Sequence, residues 1–160
     1  MSLSSTNVVH TETMQLDATP AQTREFITTP DRILDYFPDP VEGGVFEPGK
    51  AIYCRGEIGT SLLERIESEC NENRVVLKVT TAIGLAAPFT RERIEENATF
   101  TMIEDWDLAP NGTGTTLTKT WREVTAIGPA PFPLEEAVRE GAIHECDSLV
   151  QGWNRAAAQA

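Results

Sequence analysis

Basic residues are scarce in this chain. Against 25 Asp and Glu stand only 13 Lys and Arg in 160 residues, a formal net charge of −12. The two signs are mixed along the chain, so no tail carries the excess. Such a surface repels phosphate backbones, because nucleic-acid affinity rests on Lys and Arg contacts that release counterions. Nucleic acids and anionic membrane surfaces are therefore not expected as partners, and the charge itself favours solubility. Cysteine is scarce too: Cys54, Cys70 and Cys146 are three, far apart, and form no CxxC pair. That argues against a zinc or dithiol site and predicts reduced, buried thiols in a cytoplasmic protein. Two histidines, His10 and His144, without a carboxylate cluster beside them do not make a metal site. No apolar run approaches the ~18 residues of a membrane span. Met1 to His10 lack the basic-then-apolar pattern of a secretory leader. GxGxxG, P-loop, GxSxG and HExxH patterns are all missing, so neither a cofactor nor a metal is expected.

What is present is a complete alternation of strand and helix signals. Val8 to Leu16 reads as a strand, with Val8, His10, Glu12, Met14 and Leu16 on one parity. Thr19-Pro20 and Thr29-Pro30 each place a capping hydroxyl before a proline at the first helical position, which predicts two short helices. Pro38 and Pro40 stop the second. From Val41 to Val124 strand patterns dominate, punctuated by Gly43-Gly44, Pro48-Gly49, Asn71-Glu72-Asn73 and Pro110-Asn111-Gly112. Short hairpin connections predict an antiparallel sheet. Two apolar stretches lack alternation, Ile83 to Phe89 and Ala126 to Pro133. They read as a lid over a cavity mouth or as an interface between copies of the chain.

The last segment, from about Leu134 to Ala157, is a long helix. Steps of about 100° per residue put Leu134, Val138, Ala142, Leu149, Trp153 and Ala156 on one stripe. An amphipathic helix with one wide apolar stripe requires a sheet to lie on. The reading is one α+β domain over residues 1–160: strand, two short helices, six strands and a long helix.

Several stretches carry a resemblance. Met14-Gln-Leu-Asp-Ala-Thr-Pro20 followed by Phe26, then Asp31 to Tyr36-Phe37-Pro38, then Gly112-Thr-Gly-Thr-Thr-Leu-Thr118 resemble corresponding pieces of the START-like (SRPBCC) superfamily. That superfamily has the helix-grip, or birch-pollen-allergen, fold. The resemblance implies a seven-stranded curved antiparallel sheet around the C-terminal helix, with a cavity between them for a lipid, quinone or polyketide-like molecule. It also implies three possible roles: a binding module, a cofactor-independent polyketide cyclase or dehydratase, and a chaperone-activator-like protein-interaction domain. Either a monomer or a homodimer is compatible with it.

The informative residues are polar ones in the inward register. Glu145 falls near the centre of the helix stripe, where a lone carboxylate is costly to bury. It reads either as a cavity acid or base with a raised pKa or as a rim residue in water. If Asn111-Gly112 is the tip of the last hairpin, Glu104 opposes Lys119, forming an ion pair on an otherwise aromatic face. A bulge would instead turn one partner outward. Glu145, Glu104 and Lys119 are thus the candidate catalytic residues, with Lys119 placed to steady an enolate. Met14, Phe37, Phe100, Met102, Trp106, Trp121, Leu149 and Trp153 are the candidate ligand-binding residues, and the same pattern also fits plain core. His10 is a further acid–base candidate, although its place near the terminus suits a solvated side chain.

Overall fold

A computed structural model describes residues 7–159. Met1 to Thr6, where the sequence shows no leader pattern, and Ala160 lie outside the described residues. Strand β1 (Val8–Leu16) is followed by helices α1 (Pro20–Ile27) and α2 (Pro30–Ile33). Strands β2 (Pro40–Glu47), β3 (Ala51–Gly56), β4 (Gly59–Arg65) and β5 (Arg74–Ile83) come next. Helix α3 (Arg91–Glu96), strands β6 (Phe100–Asn111) and β7 (Gly114–Ala126), and helix α4 (Leu134–Ala158) complete the order. The seven strands form one antiparallel sheet in the order β1-β7-β6-β5-β4-β3-β2. This is the helix-grip α+β fold.

Local chemistry accounts for the elements. Thr19 and Gln22 form a reciprocal capping box at the start of α1: Thr19 Oγ1 accepts from the Gln22 N–H at 3.1 Å and Gln22 Oε1 accepts from the Thr19 N–H at 2.9 Å. Thr29 departs from the expected pattern. Its hydroxyl turns back and donates to the Glu25 carbonyl at 2.8 Å, so α2 is uncapped and lasts one turn. The chain then crosses the end of β3, where a side chain on Gly56 would meet the Pro38 carbonyl oxygen. The glycine pair Gly43-Gly44, a turn signal in sequence, lies within β2 instead. Close approach explains this: a Cβ at Gly43 would run into Pro30 and one at Gly44 into the Tyr53 ring.

The concave face of the sheet and α4 enclose the main core, including Met14, Leu16, Trp106, Leu108, Leu117, Leu149 and Trp153. The convex face carries a smaller cluster of Ala51, Leu62, Ala82 and Ile94. Helix α3, which periodicity does not reveal in so short a segment, covers that second cluster with Ile94. The apolar segment after β5 goes with it. Leu85 packs on the convex cluster, and Phe89 stacks on Tyr53 at 6.3 Å under the Arg55 guanidinium. Residues 85–89 therefore cover the convex side of the sheet and do not close the cavity. No described helix is long and apolar enough to cross a membrane.

The final hairpin differs in register from the sequence expectation. Asn111 pairs with Gly114, so the turn is Gly112-Thr113, with Gly112 in the left-handed region at φ 63°. The ladder consequently slides by two residues: Trp106 opposes Lys119 and Glu104 opposes Trp121. A slip of two preserves the face of every side chain, so Glu104 and Lys119 both remain on the concave side.

Candidate functional site

The interior between sheet and α4 is packed at one end and hollow at the other. In the packed end the Trp106 and Trp153 rings stack at 5.7 Å with 16° between planes, and Phe26 and Tyr36 meet Trp153 edge-on at 5.5 and 6.0 Å. Trp153 Nε1 donates to the Arg32 carbonyl at 2.8 Å, which ties α4 to α2. Gly152 lets the two elements approach, since a Cβ there would meet Asp35 at 2.7 Å.

Under the N-terminal half of α4 the packing fails and a cavity of about 260 Å³ remains. Its sheet wall is Leu63, Val79, Phe100, Met102 and Trp121; its helix wall is Leu134, Ala137, Val138, Gly141 and Ala142. Ile33, Tyr36 and Phe37 close one side. The mouth is formed by Pro38, Asp39, Ile58, Ile83 and Phe132. Ile58 and Phe132 are exposed there, the latter on the stretch before α4. Gly141 faces the void, and nothing lies within 4 Å of where its Cβ would be. Ser61 and Thr81 also reach the wall, their hydroxyls joined by one hydrogen bond at 2.8 Å.

One end of this apolar chamber is ionic. Glu104 from β6 and Glu145 from α4 lie on its wall. Between and behind them is Lys119 of β7, fully buried, whose ammonium donates to Glu145 Oε2 at 2.7 Å. Glu104 Oε1 is 3.5 Å from the same nitrogen, yet it accepts no hydrogen bond from any described residue. The ammonium is caged by aromatic faces, at 4.0 Å from the Trp106 ring centre, 4.5 Å from Trp121 and 4.9 Å from Tyr36. These contacts replace part of its lost hydration.

The proton affinities follow from this arrangement. Burial pushes the Glu145 carboxyl up to about 7; the Lys119 charge pulls it back, and the Glu104 and Glu12 carboxylates push it further up. Burial, reinforced by Glu104 and Glu145, also holds the Tyr36 phenol well above its ordinary value. The Cys54 and Cys146 thiols are pushed up to about 12, first by burial and then by nearby carboxylates, so neither is a ready nucleophile.

The structure brings together Glu145, Glu104 and Lys119 from three elements: the inferred Glu104–Lys119 ion pair is present at 3.5 Å, and Glu145 joins it as a second carboxylate. The tight partner of Lys119 is Glu145, and the ammonium sits behind the wall, where it cannot reach an enolate in the cavity. Among the apolar candidates, Phe37, Phe100, Met102 and Trp121 line the cavity. Met14, Trp106, Leu149 and Trp153 do not: they fill the packed end, at 5% exposure or less. Inward parity places a side chain in the interior without saying which end is empty. His10 also lies off the cavity, at the sheet edge, where its Nε2 is 2.9 Å from Glu12 Oε1. Tyr36 and Val138 line the wall as well, beyond the ligand-binding candidates drawn from the sequence. The signal for Tyr36 was available in its place before Phe37-Pro38; glycine inside a helix is costly, and at Gly141 it does mark room close to the backbone.

No family model and no curated protein matches the chain. Solved structures do match. A conserved protein from Geobacillus kaustophilus superposes with a TM-score of 0.67 at 12% identity, covering 93% of this chain and 94% of that one. Ara h 8.0201 gives 0.60 at 9% identity, covering 98% and 100%. A START superfamily protein from Mycobacterium smegmatis gives 0.57 at 13% identity, covering 94% and 97%. DynU16, described as belonging to the dynemicin biosynthetic locus, gives 0.53 at 14% identity, covering 88% of this chain and 45% of that one.

Proposed function

The chain has a START-like fold, as the superpositions show, and from that premise we propose that it binds a small, largely apolar molecule in the cavity between the sheet and α4. One observation carries this reading. The interior is close-packed at its aromatic end, yet a chamber of about 260 Å³ is left open beneath α4. Protein interiors ordinarily leave few voids larger than a water molecule. An apolar chamber opening on solvent, with a few polar groups at one end, has the form of a ligand site. Titration with methylnaphthalene, followed by calorimetry and by intrinsic tryptophan fluorescence, tests it. Saturable binding that Val138→Phe abolishes is the expected result; no binding to the native chain would reject the proposal.

A second reading has its own support. Glu145 lies on the cavity wall and exchanges its proton near neutrality, the condition for general acid–base catalysis. A cyclisation or dehydration without a cofactor needs such a group, and the likeness to a protein of a biosynthetic locus is compatible with it. Glu145→Gln would then abolish turnover of a polyketide-like substrate while leaving methylnaphthalene binding intact. Retained turnover would eliminate Glu145 as the acid or base.

A further inference from the structure

We propose that the cavity selects molecules whose polar end donates a hydrogen bond, a hydroxyl or an ammonium, and discriminates against carboxylates. The inference rests on the reading of the cavity as a binding site and deepens it. Three observations support it. First, the polar end holds two carboxylates, Glu104 and Glu145, and among the described residues touching them Lys119 is the one cation. Second, that cation is already engaged. It donates to Glu145 at 2.7 Å and is screened from the cavity by aromatic rings, so an incoming ligand meets acceptor oxygens before it meets an ammonium. Third, Glu104 lines the cavity at 5% exposure, and its carboxylate accepts no hydrogen bond from any described residue, Oε1 having only the 3.5 Å contact with Lys119.

A buried acceptor without a donor is costly, and it is relieved only by a group that brings a proton to it. A hydroxyl or ammonium does so. A neutral carbonyl leaves Glu104 as it was. A carboxylate adds a third negative charge to a site with one cation, in surroundings where charges interact strongly. The Ser61–Thr81 pair spends one of its two hydroxyl hydrogens internally, and the remaining one sits on a neutral group that does not balance a third negative charge.

Four naphthalenes of nearly equal bulk test this by calorimetry on the full chain at about pH 8, where ordinary carboxylates are ionised. They carry a methyl, a hydroxymethyl, an aminomethyl or a carboxylate group. The hydroxymethyl and aminomethyl compounds are expected to bind at least about tenfold tighter than the carboxylate. Equal or tighter binding of the carboxylate overturns the inference while leaving the cavity reading intact. Failure of the methyl compound to bind overturns the cavity reading itself. Glu104→Gln, checked for folding by circular dichroism, supplies an amide donor in place of one carboxylate oxygen and removes the charge. It should shrink the penalty on the carboxylate by about tenfold; an unchanged ranking would show that Glu104 is not the selecting group.

Discussion

The two halves of α4 lie on the same sheet and end in opposite ways. The C-terminal half presents Cys146, Leu149 and Trp153 to Trp106 and Phe26, and the interior there is full. The N-terminal half presents Val138, Gly141, Ala142 and Glu145 to Met102, Phe100 and Glu104, and the interior there is open. The difference is one of side-chain volume. Two indoles and a benzyl ring meet at one end. At the other, glycine and alanine face the sheet, and the charged groups gather at the boundary between them.

The contrast can be broken most forcefully from the packed side. Trp153→Ala removes a stacked ring and its hydrogen bond to Arg32, and should cost about 3–5 kcal/mol in denaturant unfolding. Val138→Ala, on the hollow side, should cost less than about 1.5 kcal/mol, because its side chain already borders empty space. Equal losses would mean that the two ends are packed alike.

The boundary itself is tested by pH. Glu145 binds its proton more tightly in the folded chain, with a value near 7 against 4.5 for the unfolded carboxyl. Between those values the folded state holds a proton that the unfolded state has released. Its contribution to stability is full below the unfolded value and is lost as pH rises through 7. Stability should therefore fall from about pH 5 to pH 7, with a slope on the order of 1 kcal/mol per pH unit from this group. Glu145→Gln should flatten that part of the profile, and an unaltered slope would assign it to another group.

The two glycines of α4 give the smallest and sharpest contrast. Gly141→Ala adds a methyl group to empty space and should stabilise the chain by up to about 1 kcal/mol through helix propensity. Gly152→Ala drives a methyl group into Asp35 and should destabilise it by about 1–3 kcal/mol despite the same propensity gain. Thermal melts of the two variants should move in opposite directions. Gly141→Leu would go further and weaken methylnaphthalene binding.

Much of this architecture is legible without coordinates. Alternation along β5 and β6, proline and threonine at the starts of α1 and α2, and the stripe on α4 all follow from repulsion of apolar surface by water and from backbone geometry. The inward placement of Glu104, Lys119 and Glu145 is legible for the same reason, since parity and helical angle are local properties. The ladder register was missed by two residues because the turn could begin at Asn111 or at Gly112, and both choices keep every side chain on its face. Helix α3 was missed because it is six residues long and shows one buried position, Ile94.

Sequence by itself determined the order of the seven strands and of α1, α2 and α4, the inward faces, and the set of polar residues turned inward. Only the tertiary structure decided which inward residues border empty space, and that Lys119 is held more tightly by Glu145 than by the Glu104 expected to pair with it. The physical reason is that a void is a difference of volumes between elements far apart in the chain. An ion pair likewise depends on distances across the interior, from β7 to α4. Neither quantity is written in the period of any one segment.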